Sequence, residues 1–251
     1  MRYWLVVPAA GVGRRFGDAV PKQYAPIHGR TVLEWSLAPF VGDSRCVGIV
    51  VALAPSDTRW VQIAAKLPSI STTQGGSSRS GSVRNGLTAL SNRARPDDWI
   101  LVHDAARPCL PAEDLNRLLE RLASHPIGGI LAAPAADTLK ATDSPKAVDT
   151  LTAASDGQQI ARTVDRAGLW RALTPQMFRY RRLCEALDTA AAAGRSPTDE
   201  SQALEWLGDR PQLVEGSAAN IKITSAADLV IAAALLAAPA KPGTPGRERR
   251  S

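Results

Sequence analysis

Short, nearly unbroken apolar runs alternate with helical patterns through the first half of the chain. The runs are "YWLVVPA" (3–9), "VGIVVAL" (47–53), "WILVH" (99–103) and "GGILAAPA" (128–135). Strands buried on both faces have this character, and they belong to parallel sheets covered by helices. Between and after them the spacing predicts helices over "TVLEWSLAPFV" (31–41), "SDTRWVQIAAKL" (56–67), "SVRNGLTAL" (82–90) and "PAEDLNRLLERLA" (111–123). In the last, Pro111 stands near the start, acids occupy the first turn and leucines recur at helical spacing. The alternation predicts a doubly wound α/β sheet, mostly parallel.

The pattern breaks at about Asp137. From there to Arg166 the chain is polar and punctuated by Pro145 and Gly157, and "QQIARTVDR" alternates. An extended arm or hairpin over about 137–170 is expected. A long excursion from a compact domain is usually functional or disordered. Helical spacing resumes at 179–193 and 199–207. "QLVEG" (212–216) and "NIKIT" (220–224) read as short strands, and "SAADLVIAAALLAA" (225–238) as a Ser-capped closing helix. One domain over 1–238 follows, with residues 239–251 as a disordered Pro/Gly-rich tail.

Composition narrows the function classes. The chain has 251 residues, enough for a sizeable core, and no apolar stretch long enough to span a bilayer. The net charge is +6, but the tail holds Lys241, Arg247, Arg249 and Arg250 against Glu248, half of that excess. The body is only mildly basic and carries no nucleic-acid-binding motif. The 3 cysteines and 3 histidines are scattered, without metal-ligand spacing or a disulfide framework, as expected of a cytoplasmic protein.

Candidate chemistry sits in the loops that follow strands. "PAAGVGRRFGDAVPKQY" (8–24) supplies Gly11 and Gly13 for close backbone approach, with Arg15 and Lys22 to meet negative charge. The dinucleotide fingerprint fails because Phe16 stands at the third glycine position, and no Gly-Lys-Ser/Thr follows for a Walker loop. A polyphosphate loop and a solvated surface turn both remain. "VHDAARP" (102–108) puts Asp104 at the carboxyl edge of a strand, where ligands of α/β sheets bind. A single hard carboxylate there suits Mg²⁺ beside a polyphosphate, with Arg107 meeting a second anion. Alternatively, Asp104 caps a helix and Arg107 pairs with it. The small residues of "GGSSRSGSVRNGL" (75–87) let a base lie against backbone, with Ser82 to bond its edge, or else form a plain turn.

Taken together, these segments resemble the 2-C-methyl-D-erythritol 4-phosphate cytidylyltransferases. So do "APAADTLK", "TVDRAGLWRALTPQMF", "PTDESQALE" and "VEGSAANIKIT". The resemblance implies a Rossmann-like fold with a protruding β-arm. It also implies transfer of a cytidylyl group from CTP to methylerythritol 4-phosphate, in non-mevalonate isoprenoid precursor synthesis. By that analogy Arg15 and Lys22 hold the CTP phosphates, in the loop of Gly11 and Gly13. Ala9, Ala10, Gly76, Ser77 and Ser82 surround the cytosine, and Asp104 binds Mg²⁺ and helps place the sugar alcohol. Lys222 approaches the α-phosphate from across the cleft. Thr138, Arg166 and Thr174 match positions that touch the alcohol phosphate, with Arg166 and Thr174 supplied by the partner of a homodimer clasped through the arm. Thr198 and Arg107 are further candidates for the same substrate. Ala218 and Ala219 precede Asn220, leaving Asp104 as the expected single protein carboxylate on the metal. Rival readings are a cytidylyltransferase for another polyol phosphate, such as ribitol 5-phosphate, and a non-catalytic CTP sensor.

Overall fold

The computed structural model describes residues 1–11, 20–67, 69–142 and 159–238. In chain order it contains β1 (Tyr3–Pro8), β2 (Pro26–Ile27), β3 (Arg30–Thr31), α1 (Val32–Val41), β4 (Cys46–Leu53), α2 (Trp60–Ala64) and β5 (Ser71–Gln74). There follow α3 (Arg79–Thr88), β6 (Trp99–Val102), α4 (Ala112–Leu122), β7 (Gly128–Pro134), β8 (Leu139–Thr142) and β9 (Ile160–Val164). The chain continues through β10 (Trp170–Arg179), α5 (Tyr180–Ala192), α6 (Glu200–Trp206), β11 (Gln212–Glu215) and α7 (Ala226–Ala237).

Seven strands form one sheet in the order β11-β7-β10-β6-β1-β4-β5. All ladders are parallel except those of β10, which runs antiparallel to β6 and β7 on either side. The apolar runs are continuous because both faces are covered. Leu5 and Val7 of β1 pack with Leu33, Leu37 and Phe40 of α1 and Leu118 and Leu119 of α4. Trp4 and Val6 face Val83 and Leu87 of α3, with Leu183 of α5 and Leu204 of α6 in the same cluster. Each fully buried side chain of this kind contributes about 1.5–3 kcal/mol relative to exposure. α3 lies close against β1 because Gly86 has no side chain: a Cβ there would stand 2.5 Å from Val6 Cγ1.

From β1 the chain moves outward through β4 and β5, then crosses back to β6 on the other side of β1. The order of strands therefore reverses at the β1/β6 pair, and a crevice opens beyond their carboxyl ends.

Several elements differ from the pattern-based expectation. The helix expected over 56–67 is confined to Trp60–Ala64, because Asp57 Oδ1 accepts from the backbone N–H groups of Arg59 and Trp60 and holds the preceding residues in a turn. The helix expected from 82 begins at Arg79, with the Ser78 hydroxyl accepting from Gly81 N. "NIKIT" forms no strand; it straps across the loop after β6, with Ile223 N donating to Ala106 O at 2.8 Å. β5 and β10 went unpredicted. At the expected arm, β8 and β9 pair as a separate antiparallel ribbon. The tail expected over 239–251 lies outside the described residues.

Candidate functional site

Four segments meet at the switch point: the end of β1, the loop from Gly75 to Arg79, the turn after β6 and the strap carrying Lys222. They enclose a cavity of about 240 Å³ lined by Ala9, Ala10, Gly11, Lys22, Gln23, Gly76, Ser77, Ser78, Arg79, Ser82, Asp104 and Lys222. The loop over α3 needs its glycines for close approach. A Cβ on Gly75 would stand 2.3 Å from Ala10 Cβ, and one on Gly76 would stand 2.7 Å from the carbonyl carbon of Gly81. Ser82 Oγ accepts from Gly76 N at 3.1 Å and donates to Ser78 O at 2.9 Å, so its proton shapes the loop. Gln23 Nε2 donates to Ala9 O at 2.9 Å and to Gly11 O at 3.1 Å, fixing the exit of β1.

Asp104 is the electrostatic centre. Its Oδ1 accepts from Arg79 Nε at 2.9 Å, its Oδ2 lies 2.9 Å from Lys222 Nζ, and Arg107 Nε stands 3.5 Å from the same Oδ2. Burial pushes the carboxyl pKa up, but the charges of Arg79, Lys222 and Arg107 outweigh it and hold the group well below the ordinary carboxylate range. Asp104 is therefore a permanent anion facing the cavity. Arg79 also grips Glu200, Nη1 to Oε1 at 2.6 Å and Nη2 to Oε2 at 3.0 Å. Glu200 is fully buried; burial raises its pKa and Arg79 only partly opposes that.

Behind Asp104 lies a chain of hydrogen bonds. Asp104 N donates to Thr174 Oγ1 at 3.1 Å, Thr174 Oγ1 lies 2.9 Å from His103 Nδ1, and His103 Nε2 lies 3.1 Å from Arg107 O. A carbonyl can only accept, so Nε2 carries the ring proton and Nδ1 accepts from the threonine hydroxyl. The ring is neutral: burial pulls its pKa down to about 4. Arg107 Nη1 donates to Asn220 O at 2.7 Å, and Asn220 Nδ2 donates to Thr174 O at 2.7 Å. Lys22 Nζ donates to Ile223 O at 3.0 Å. The strap is thus tied on both sides of Lys222.

Two of the expected substrate residues are engaged within the chain itself. Arg107 is buried and bonded to Asn220 O and, at 3.4 Å, to Ala172 O. It braces Asp104 and the strap and does not line the cavity, as the pairing alternative holds. Thr174 is likewise buried, and its hydroxyl is bonded to Asp104 N and His103 of its own chain. Thr138, Arg166 and Thr198 are exposed and outside the cavity lining. Arg166 Nη1 donates to Ala136 O at the base of the ribbon, and Thr198 N donates to Gln202 Oε1 at 2.8 Å ahead of α6. Gly13 and Arg15 lie outside the described residues. Arg79, Gln23, Glu200, Asn220 and His103 are the contributors that sequence reasoning missed.

Among the described residues no three His, Cys, Asp or Glu side chains gather to hold a metal by themselves. One charged carboxylate on a cavity wall instead fits an ion that arrives shared with a polyphosphate, since Mg²⁺ is usually held by one or two carboxylates plus substrate oxygens and water.

A glycine-lined cavity at the switch point of a Rossmann-like sheet, with lysines from two sides converging near one fixed carboxylate, defines an α/β enzyme of the nucleotidyltransferase class. The comparisons with known proteins sharpen this. The model of the 2-C-methyl-D-erythritol 4-phosphate cytidylyltransferase family matches residues 3–238, and the chain belongs to that family. A protein of that name from Ectopseudomonas mendocina is 49% identical over 230 residues, covering 91% of this chain and 93% of its own. One from Halorhodospira halophila is 46% identical over 244 residues, covering 94% and 95%. The crystal structure of the Francisella tularensis 2-C-methyl-D-erythritol 4-phosphate cytidylyltransferase superposes with a TM-score of 0.76 at 32% identity, covering 94% of this chain and 100% of that one.

Proposed function

We propose that the protein transfers the cytidylyl group of CTP to 2-C-methyl-D-erythritol 4-phosphate, releasing pyrophosphate and forming the 4-diphosphocytidyl alcohol used in isoprenoid precursor synthesis. The observation that carries this reading is the convergence of Lys22, Lys222 and Asp104 on one glycine-lined cavity in a chain of this family. A phosphate oxygen of the alcohol phosphate attacks the α-phosphorus of CTP. A new P–O bond forms as the bond to the β-phosphate breaks, and the electron pair leaves with pyrophosphate. The attacking phosphate is already an anion, so no general base is needed. The barrier is repulsion between two anions, and it yields to fixed positive charge and positioning.

In this reading the cytosine lies against Ala9, Ala10, Gly76 and Ser77, cavity-lining residues small enough to let a base approach the backbone. Lys22 and Arg15 hold the β- and γ-phosphates, and Lys222 faces the α-phosphate. Asp104 would hold Mg²⁺, which would screen the triphosphate charge when bound. Arg166, Thr138 and Thr198 would meet the alcohol phosphate, with Arg166 coming from a second copy through the ribbon of a homodimer. A cytoplasmic setting accords with three free cysteines and with the absence, among the described residues, of a helix long and apolar enough to cross a membrane.

A pyrophosphate-release assay with CTP, Mg²⁺ and a panel of alcohol phosphates tests the assignment. Turnover with methylerythritol phosphate is expected. Turnover with ribitol 5-phosphate alone would move the chain to the rival polyol specificity, and CTP binding without turnover would make it a sensor.

A further inference from the structure

Arg79 is held between two carboxylates, and the two grips differ. Glu200 takes the end of the guanidinium with two bonds, Nη1 to Oε1 at 2.6 Å and Nη2 to Oε2 at 3.0 Å, while Asp104 Oδ1 takes only the side-on Nε at 2.9 Å. A guanidinium is planar and rigid, so the end-on grip dictates where Nε points. Glu200 is itself fixed. It opens α6 behind the Asp199 cap, whose Oδ1 accepts from Gln202 N at 2.9 Å. Gln176 Nε2 donates to Asp199 Oδ2 at 2.9 Å, and Gln176 Oε1 accepts from Ser201 N at 3.0 Å. Gln176 stands opposite Val102 of β6, the strand that runs directly into Asp104. Both ends of the clamp are therefore referenced to one strand. Glu200 has no exposed surface and does not line the cavity, so it acts only through Arg79.

We propose that Glu200 is a positioning residue of the transfer reaction: it keeps Arg79 on Oδ1 of Asp104 and thereby reserves Oδ2 for an exchangeable cation. In the present structure Lys222 occupies Oδ2, at 2.9 Å. When nucleotide enters, Lys222 can leave for phosphate while Asp104 keeps its fixed partner. Without Glu200, the Arg79 fork is free to turn onto both oxygens of Asp104, the two-pronged geometry that arginine and carboxylate favour. Oδ2 would then be blocked. The inference rests on the cytidylyl-transfer reading above.

Calorimetric titration with CTP alone and with Mn²⁺·CTP tests it, with the Mn²⁺ electron paramagnetic resonance signal as a second readout. For Glu200→Gln, affinity for Mn²⁺·CTP should fall about tenfold while affinity for metal-free CTP stays within about twofold. The double variant Arg79→Met/Glu200→Met replaces the buried pair by apolar side chains, which proteins commonly tolerate. It also removes the intruding fork, so Mn²⁺·CTP affinity should rise about threefold or more above that of Glu200→Gln. Equal loss for both nucleotide forms, or a double variant no better than the single one, overturns the proposal. If Glu200→Gln does not fold, Glu200→Asp decides. An aspartate is one carbon too short to hold the fork end-on, and the same selective loss supports the clamp, whereas uniform loss overturns it. A folded wild-type chain that binds neither form would overturn the transfer reading itself, and the clamp with it.

Discussion

At the scale of single residues, charge on Asp104 and the neutrality of His103 set the site. Lys222 is the cation that can move: its side chain is 39% exposed, against 9% for Asp104. Lys222→Ala should lower kcat/KM about a hundredfold to a thousandfold, the scale seen when one preorganised transition-state contact is removed. The melting temperature should hardly change, because Arg79 and Arg107 still balance Asp104; a Lys222→Ala enzyme with wild-type kinetics would remove that side chain from the mechanism. His103 gives a prediction about pH. Its folded pKa is about 4 against an ordinary 6.5. Above pH 6.5 the ring is neutral in both states. Between 6.5 and 4 the unfolded chain takes up a proton that the folded one refuses, so stability falls as pH falls through this window. At about 1.4 kcal/mol per pKa unit the loss approaches roughly 3 kcal/mol. Urea unfolding at pH 7 and 4.5 should show this loss in wild type and a correspondingly smaller one in His103→Gln. His28 and His125 are common to both proteins, and equal losses would refute the assignment.

At the scale of elements, the nucleotide side of the cavity depends on how closely the Gly75–Ser78 loop approaches α3. The atom that a Gly76 side chain would meet, 2.7 Å away, is backbone and cannot swing aside. Gly76→Ala should therefore displace the loop and raise the KM for CTP about tenfold or more, with a smaller effect on the KM for the alcohol phosphate. Steady-state kinetics in both substrates check it, and an unchanged KM for CTP would show that the loop does not touch the nucleotide. The same loop shows what was legible in the sequence. The parallel strands β1, β4, β6 and β7 were, because burial on both faces leaves a continuous apolar run, whereas β5, "STTQ" at the sheet edge, carries no such run. The start of α3 was not. Apolar spacing begins at Val83, while the helix begins at Arg79 on the strength of a Ser78 cap, so Arg79 was read as part of a loop. Glu200 looked like an ordinary first-turn acid of α6, and nothing local reveals that it is buried against Arg79. "NIKIT" has β-branched residues in sequence alternation, but its inward residues, Asn220 and Ile223, are three apart, bond to Thr174 O and Ala106 O and join no strand ladder. β10 is not legible in the sequence because "TPQMF" carries Pro175 and Gln176, poor markers of a central strand; it follows β9 after the excursion and inserts antiparallel between β6 and β7.

At the scale of the whole molecule, the ribbon of β8 and β9 is the feature that one chain does not explain. A two-stranded ribbon is marginally stable alone, and here Ile160 is 64% exposed, Leu139 37% and the adjoining Trp170 39%. Apolar side chains on an isolated ribbon would be covered by the surface of a second copy, and a symmetric pairing would bring each ribbon, with Arg166 at its base, toward the other chain. Ile160→Asp should then halve the mass measured by sedimentation without unfolding the chain, since the side chain is already largely in solvent. Sharing of the site is a stricter test. Lys22 belongs to a chain's own cavity, whereas Arg166 would serve the partner's. Mixing Lys22→Ala subunits with Arg166→Ala subunits creates heterodimers in which the Arg166→Ala chain keeps its own Lys22 and receives an intact Arg166 from its partner. One of the two sites is then complete, and each heterodimer should recover about half of the wild-type rate. If Arg166 served its own chain, each chain of the heterodimer would carry one broken site and no activity would return. A purified heterodimer without activity would therefore leave the ribbon, at most, an assembly device with no part in the chemistry.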